Sequence, residues 1–350
     1  MALDDSLLKV ARSWLENQSK LTSLASNMRA SPPRSQDFLE GDLIRKINPV
    51  GVSGSFCAID GGIVCEEFHG LDVAAFRSVC TCFTYENSKL VKTDYSPSQR
   101  PNLEISAHSA LGQFEKMRFL SLVRLKSELE CALNSLNKFS PDFLILDGSI
   151  APLIDDKPPS DSELVSHYDG LISIYKNLYS SCGEKNCSLL GITKDSRGRR
   201  FSDILCTADP SCSSVLSTCH DTVFLDHLLQ KGERTSAFRY SGSPQKNPVF
   251  KDLGDYSQRI LTFYLKPVEN DRPLRVEFLS NHHSFSQIAD SISSLSAINP
   301  NYAYPAVLIE ADLRAALEPN EVEQQMQSLA TKIGGKNPIV KLRRNSRPFR

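Results

Sequence analysis

The chain has 350 residues, of which 40% are hydrophobic and 23% charged, with a formal net charge of −1. This is ordinary globular composition, ample for one large core or two modest ones. The near-zero charge excludes a global field that draws the protein to nucleic acid, so any such attraction must come from local patches. No stretch approaches the ~20 apolar residues of a membrane span. The opening Met1-Ala-Leu-Asp-Asp-Ser is acidic and lacks the apolar core of a secretory signal. The expectation is therefore a cytoplasmic protein with no membrane partner.

Residues 3–28 carry Leu7, Leu8, Val10, Trp14, Leu15, Leu21 and Leu24 at helical spacing, which predicts an amphipathic arm. Ser31-Pro-Pro ends it. The run Phe56-Cys-Ala-Ile then predicts a buried strand that stops at Asp60-Gly-Gly. Val73 to Thr84 reads as the second arm of a hairpin or meander. Residues 90–106 are polar, hold Pro97 and Pro101, and read as a loop. A long helix is expected from about Ala110 to Lys138, its buried stripe set by Leu122, Leu125, Leu129, Ala132, Leu133 and Leu136. Ser140-Pro-Asp ends it. Phe143-Leu-Ile-Leu follows at once as a second buried strand ending in Asp147-Gly-Ser.

Beyond this point a helix is expected near 161–180 and a strand over 187–194. A basic turn follows at Arg197-Gly-Arg-Arg200, then a helix near 219–230. Strands near 257–266 and 273–280 precede helices near 283–296, 305–316 and 320–333. Strands alternating with helices after an early meander argue for an α/β fold, a mixed sheet covered by helices. The last stretch, from Lys332 to Arg350, is rich in Lys and Arg and has no acidic residue. It reads as a solvated tail or a phosphate-contacting or partner-binding arm.

The chemistry rests on carboxylates. An Asp at a strand end meets solvent, and the Gly after it permits a sharp turn and close approach by a ligand. Asp60 and Asp147 on neighbouring strands would form the hard, oxygen-rich pocket that Mn²⁺ or Mg²⁺ prefers, and two such ions can clamp a phosphodiester. The helix leading to Asp147 carries Glu128 and Glu130. Glu128 lies nearer the apolar stripe, and either residue is a candidate third ligand. Lys194 ends an apolar strand, where a cation could contact a phosphate. Arg197, Arg199 and Arg200 extend this into a local basic patch suited to a nucleic-acid backbone. Tyr304-Pro opens a helix that also bears Asp312. The tyrosine is a candidate for stacking or phosphate contact, and the aspartate for binding or orienting a second metal.

Other chemistries fit less well. There is no P-loop and no Gly-x-Ser-x-Gly, and His282-His283 lack the acidic spacing of a zinc protease. Cys182, Cys187, Cys212, Cys219 and His220 fit no known zinc module; the ten cysteines of a cytosolic chain read as free thiols.

The ordered set as a whole resembles the NurA nucleases. It runs from Ala58-Ile-Asp60-Gly through the Glu-bearing helix to Leu146-Asp147-Gly-Ser-Ile. It continues with Gly191-Ile-Thr-Lys194, Gly232-Glu-Arg-Thr-Ser, Phe263-Tyr264 and Arg275-Val-Glu, and closes with Tyr304-Pro and Glu310-Ala-Asp312. The resemblance implies an RNase H-like mixed central sheet flanked by helices, preceded by the N-terminal arm. The implied domains are 1–50 for the arm and linker, 51–333 for the nuclease domain and 334–350 for the basic tail. It implies Mn²⁺- or Mg²⁺-dependent DNA hydrolysis of 5′-to-3′ exonuclease and single-strand endonuclease type, on a two-metal site, in DNA end resection. A homodimer working with a hexameric HerA-type ATPase is implied as well. By position, Asp60, Asp147 and Glu128 or Glu130 become metal ligands. Lys194 becomes the basic site residue, with Tyr304 and Asp312 contributing from the C-terminal motif. The family often has His where this chain has Asp312, and two residues are inserted between Pro305 and Leu308. A non-catalytic subunit of the same fold and a phosphoesterase for a small substrate are the rival readings.

Overall fold

The computed structural model describes residues 2–48, 51–68, 70–279 and 282–333; the basic tail expected over 334–350 lies outside them. The strands are β1 Ile44–Lys46, β2 Gly54–Phe68, β3 Leu71–Glu86, β4 Lys89–Ser96, β5 Glu104–Ser109, β6 Phe143–Asp147 and β7 Ser188–Thr193. They continue with β8 Glu233–Thr235, β9 Phe238–Arg239, β10 Ile260–Lys266 and β11 Leu274–Leu279. The helices are α1 Ala2–Ala30, α2 Gln113–Phe139, α3 Val165–Glu184, α4 Arg200–Ala208 and α5 Ser213–Leu216. They continue with α6 Asp221–Leu228, α7 Pro248–Asp252, α8 Phe285–Ser296, α9 Ala306–Ala315 and α10 Pro319–Ile333.

The chain divides into two compact units that interleave in sequence. One takes in the described residues of 1–52, 190–247 and 255–306, the other those of 53–189, 248–254 and 307–333.

The second unit holds a mixed sheet. β2 and β3 pair antiparallel along their whole length, from Gly54↔Tyr85 to Phe68↔Leu71. β6 lies parallel to β2, but only from Phe56↔Phe143 to Ile59↔Leu146. β4 and β5 share the far side of β3, β5 beside its first half and β4 beside its second. β3 is buried along most of its length because helices cover both faces. α2 packs on β2, β3 and α3. On the other face Val322 and Met326 of α10 meet Phe68, Val73 and Ala75. These contacts put Leu122, Leu129, Ala132 and Leu136 in the core, as their helical spacing predicts, while Leu125 and Leu133 are half-buried.

In the first unit, β8, β10, β11 and β7 pair antiparallel in that order, with β1 beside β8 and β9 beside β10. Its core gathers Leu21, Ala25 and Met28 of α1 around Phe201, Ile204, Leu205, Phe224, Leu225 and Phe238. The upper part of α1 is different: Leu7, Val10 and Trp14 are exposed.

Two sequence expectations change. Residues 90–106 contain β4 and β5 rather than only loop. Their mostly exposed side chains gave no apolar alternation, yet both strands pair with the buried β3. Arg200 opens α4 rather than lying in a basic turn, and Phe201, Ile204 and Leu205 bury one face of this short helix.

Candidate active site

The site is built around the point where β2 loses one neighbour. The parallel pairing with β6 ends at Ile59, while the antiparallel pairing with β3 runs on through Asp60↔Val79. Asp60 is therefore not at a strand end, as expected, but inside β2, beside the place where β6 stops. Asp147 is the last residue of β6 and does stand at a strand end, with Gly148 next to it at φ +110°. Only glycine enters that backbone region at no steric cost.

The glycines after Asp60 do something other than turn the chain: they let two helices approach. A side chain at Gly61 would begin 2.7 Å from Glu128 Oε1 and 2.9 Å from Ser78 Oγ. At Gly62 it would begin 2.5 Å from the carbonyl oxygen of Ala315, at the end of α9. So α2 brings Glu128, and α9 brings Asp312, onto the strand of Asp60. α9 is fixed by a further contact: Tyr95 donates to Glu310 Oε1 at 2.7 Å, and Arg314 donates to the same oxygen at 2.8 Å.

The electrostatics record this convergence. Asp60 is buried, and its carboxyl is pushed up to about 7. Burial is the largest cause, followed by the charge of Asp147 and then the charge and hydrogen bond of Asp312. The Gly61 amide donates to Asp60 Oδ1 at 2.7 Å and opposes the rise. Glu128 is pushed up to about 8, again chiefly by burial and further by the charges of Asp60 and Asp147. Arg124, one turn earlier on α2, works against this, donating to Glu128 Oε1 at 2.7 Å. Among the described residues, no three acidic, His or Cys side chains already stand close enough to hold an ion.

The two candidate glutamates separate clearly. Glu128 is buried toward Asp60, whereas Glu130 is exposed, 3.8 Å from Lys126, and lines a different cavity of about 180 Å³ with Phe76, Glu104 and His167. The structure thus brings Asp60, Glu128, Asp147 and Asp312 together and leaves Glu130 apart. Sequence reasoning missed Arg124, although its i,i+4 spacing to Glu128 on a predicted helix was a usable signal.

The remaining candidates belong to the other unit. Lys194 follows β7, and its Nζ lies 3.9 Å over the ring of Tyr304, which is buried. Arg199 pairs with Asp203 at 3.4 Å and Arg200 with Asp37 at 3.2 Å. The loop bearing Arg197 is held in place: the Asp221 amide donates to the Gly198 carbonyl at 2.9 Å, and Gly198 backs onto the Arg275 guanidinium. The cysteines weighed for zinc are free thiols, and Cys182, Cys187 and Cys212 are buried.

Comparison with known proteins agrees with this geometry. The family model of the NurA domain matches residues 54–317. Among solved structures, the NurA nuclease from Sulfolobus solfataricus aligns with a TM-score of 0.54 and 19% identity, over 93% of this chain and 97% of that one. A NurA structure bound to dAMP and manganese aligns with a TM-score of 0.57 and 11% identity, over 98% of this chain and all (100%) of that one. A NurA structure with manganese gives 0.51 and 12%, over 96% and 100%. A search of curated proteins found no match. The architecture is a mixed sheet flanked by helices, as the resemblance implied. With a matched segment that contains the strand of Asp60, the helix of Glu128 and the helix of Asp312, the chain belongs to the NurA family.

Proposed function

We propose that this chain is a divalent-metal-dependent deoxyribonuclease that hydrolyses phosphodiester bonds with water as the nucleophile. The observation that carries the reading is the convergence of Asp60, Glu128, Asp147 and Asp312: α2 and α9 close on Gly61 and Gly62, and burial, with the charges of Asp147 and Asp312, pushes the Asp60 carboxyl up to about 7. Carboxylates crowded in this way repel one another unless protons or cations compensate them. Their hard oxygen donors fit Mn²⁺ or Mg²⁺. The two solved NurA structures that contain manganese, one also holding dAMP, support the same ion and a nucleotide substrate.

In this reading Asp60, Glu128 and Asp147 hold the metal, with Asp312 joining from α9. One or two bound ions supply Lewis-acid charge to the scissile phosphate. The protein's own part is positional. The Gly61 amide fixes one oxygen of Asp60, and the side-chain-free Gly61 and Gly62 keep α2 and α9 close to it. Lys194, Tyr304 and the arginines at 197, 199 and 200 are carried as proposed DNA contacts on the strength of the motif order. We take residues 51–333 as the nuclease domain, 1–50 as the arm and 334–350 as the basic tail. The family resemblance supports 5′-to-3′ exonuclease and single-strand endonuclease action in end resection, a homodimer, and a hexameric HerA-type ATPase as partner.

The test is a nuclease assay on end-labelled single- and double-stranded DNA with Mn²⁺, Mg²⁺ or EDTA. Wild type should cut only with metal, and Asp60→Ala and Asp147→Ala should each lose at least about a hundredfold in rate. Cutting that survives both substitutions would overturn the site. A folded wild type that binds DNA without cutting would favour a non-catalytic subunit.

A further inference from the structure

A cation stands against the carboxylate cluster. Arg124 and Glu128 lie four residues apart on α2, and the guanidinium donates to Glu128 Oε1 at 2.7 Å. The Glu128 side chain is only 8% accessible and that of Arg124 34%, so the carboxylate end of the pair is buried while the arginine keeps a path to solvent. Arg124 also feels the charge of Asp60. Among the described residues, the converging carboxylates do not yet stand close enough for three of them to hold an ion. An arginine on an exposed helix face usually pairs with glutamate to little effect. Here Glu128 also feels the charges of Asp60 and Asp147.

We propose that Arg124 is an internal counter-ion that occupies Glu128 in the metal-free protein and must release it when a divalent cation binds. This rests on the metal-dependent reading above and deepens it, because it names the group that sets metal affinity. Two physical effects act in the same direction. The guanidinium occupies one of the two oxygens with which Glu128 would hold a metal, and its positive charge would oppose a dication bound to the same carboxylate. In exchange it stabilises the empty site, where crowded carboxylates would otherwise repel one another. Arg124 is a positioning residue, because it acts through Glu128 and not on substrate.

The experiment measures Mn²⁺ binding to the full-length protein without DNA, from the free-ion electron spin resonance signal, for wild type, Arg124→Gln, Arg124→Lys and Asp60→Ala. Arg124→Gln should bind Mn²⁺ about tenfold more tightly than wild type, and its metal-free melting temperature should fall. Arg124→Lys, which keeps the charge, should stay within about threefold of wild type. A purely structural arginine would lower the melting temperature and leave the Mn²⁺ affinity unchanged; that outcome, or weaker binding, overturns the proposal.

A second measurement needs no fold-altering variant. The Nε–H resonance of Arg124 in ¹⁵N-arginine-labelled wild type should shift on saturation with Mg²⁺, and an unmoved resonance overturns the proposal as well. Wild type that binds no Mn²⁺, or binding untouched by Asp60→Ala, would instead sink the metal-site reading itself.

Discussion

The Asp60 carboxyl shows how one residue's surroundings decide its chemistry. An isolated aspartate near 3.8 is charged throughout the neutral range, but burial and the neighbouring Asp147 push this one up to about 7. The sign of its linkage to folding follows. The folded state binds this proton more tightly than the unfolded state, so its relative stabilisation is present below about 3.8 and lost as pH rises toward about 7. The metal-free protein should therefore melt at lower temperature at pH 8 than at pH 5.5. Asp60→Asn keeps the shape and removes the titration. Its metal-free melting temperature should exceed that of wild type by several degrees at pH 8, and the gap should close near pH 4. Calorimetry in EDTA across that range checks it, and parallel pH profiles for the two proteins would refute the assignment. Glycines belong to the same scale: the sequence places Asp60-Gly-Gly at a strand end where the chain can turn and a ligand approach, and in the fold the strand runs on while two helices make the close approach. Sequence cannot separate those uses, because both need only the missing side chain.

At the scale of elements, α10 is fastened to the sheet by charge as well as by Val322 and Met326. Arg77 of β3 is 1% exposed, pairs with Glu321 and donates to the Pro101 carbonyl at 3.1 Å. Arg100 adds contacts of 2.9 Å to Glu318 and 3.0 Å to Glu321. Hydrogen bonding from Arg100, with Arg77 adding to it, pushes Glu321 down to about 2. A lowered carboxylate contributes stability that is present above its ordinary value and is lost as pH falls toward about 2. Removing Glu321 leaves Arg77 buried without its carboxylate. Glu321→Gln should cost about 3 kcal/mol by urea unfolding at pH 7, and Arg77→Met, which removes the buried charge itself, clearly less. Losses below about 1 kcal/mol for both would mean that the pair contributes no more than a surface ion pair does. This clasp was invisible in the sequence, since the partners lie 244 residues apart.

Across the whole molecule, the net charge of −1 means that DNA binding must depend on local basic groups. A nuclease gripping several phosphates releases counterions from each, so its DNA affinity should fall steeply with salt. Raising salt from about 50 to 200 mM should weaken binding to an oligonucleotide at least about tenfold, while hydrolysis of a small phosphodiester should change little. A flat salt profile on DNA would point to a small-substrate phosphoesterase. Fluorescence anisotropy in EDTA separates binding from cleavage. The described helices include none long and apolar enough to cross a membrane.

The sequence by itself determined the buried strands that lead to Asp60 and Asp147, the long helix between them and the order of motifs that marks the family. Those features depend on local periodicity and spacing, and both are written along the chain. It did not determine the edge strands β4 and β5, whose exposed polar residues carry no apolar alternation. Nor did it choose between Glu128 and Glu130: both lie on one amphipathic helix, and only the sheet packed against that helix decides which is buried. The position of Asp60 inside a strand, the approach of α9 over Gly62 and the hold of Arg124 on Glu128 were decided by tertiary structure alone. Each depends on what distant segments place beside a residue, and a linear pattern does not encode that neighbour.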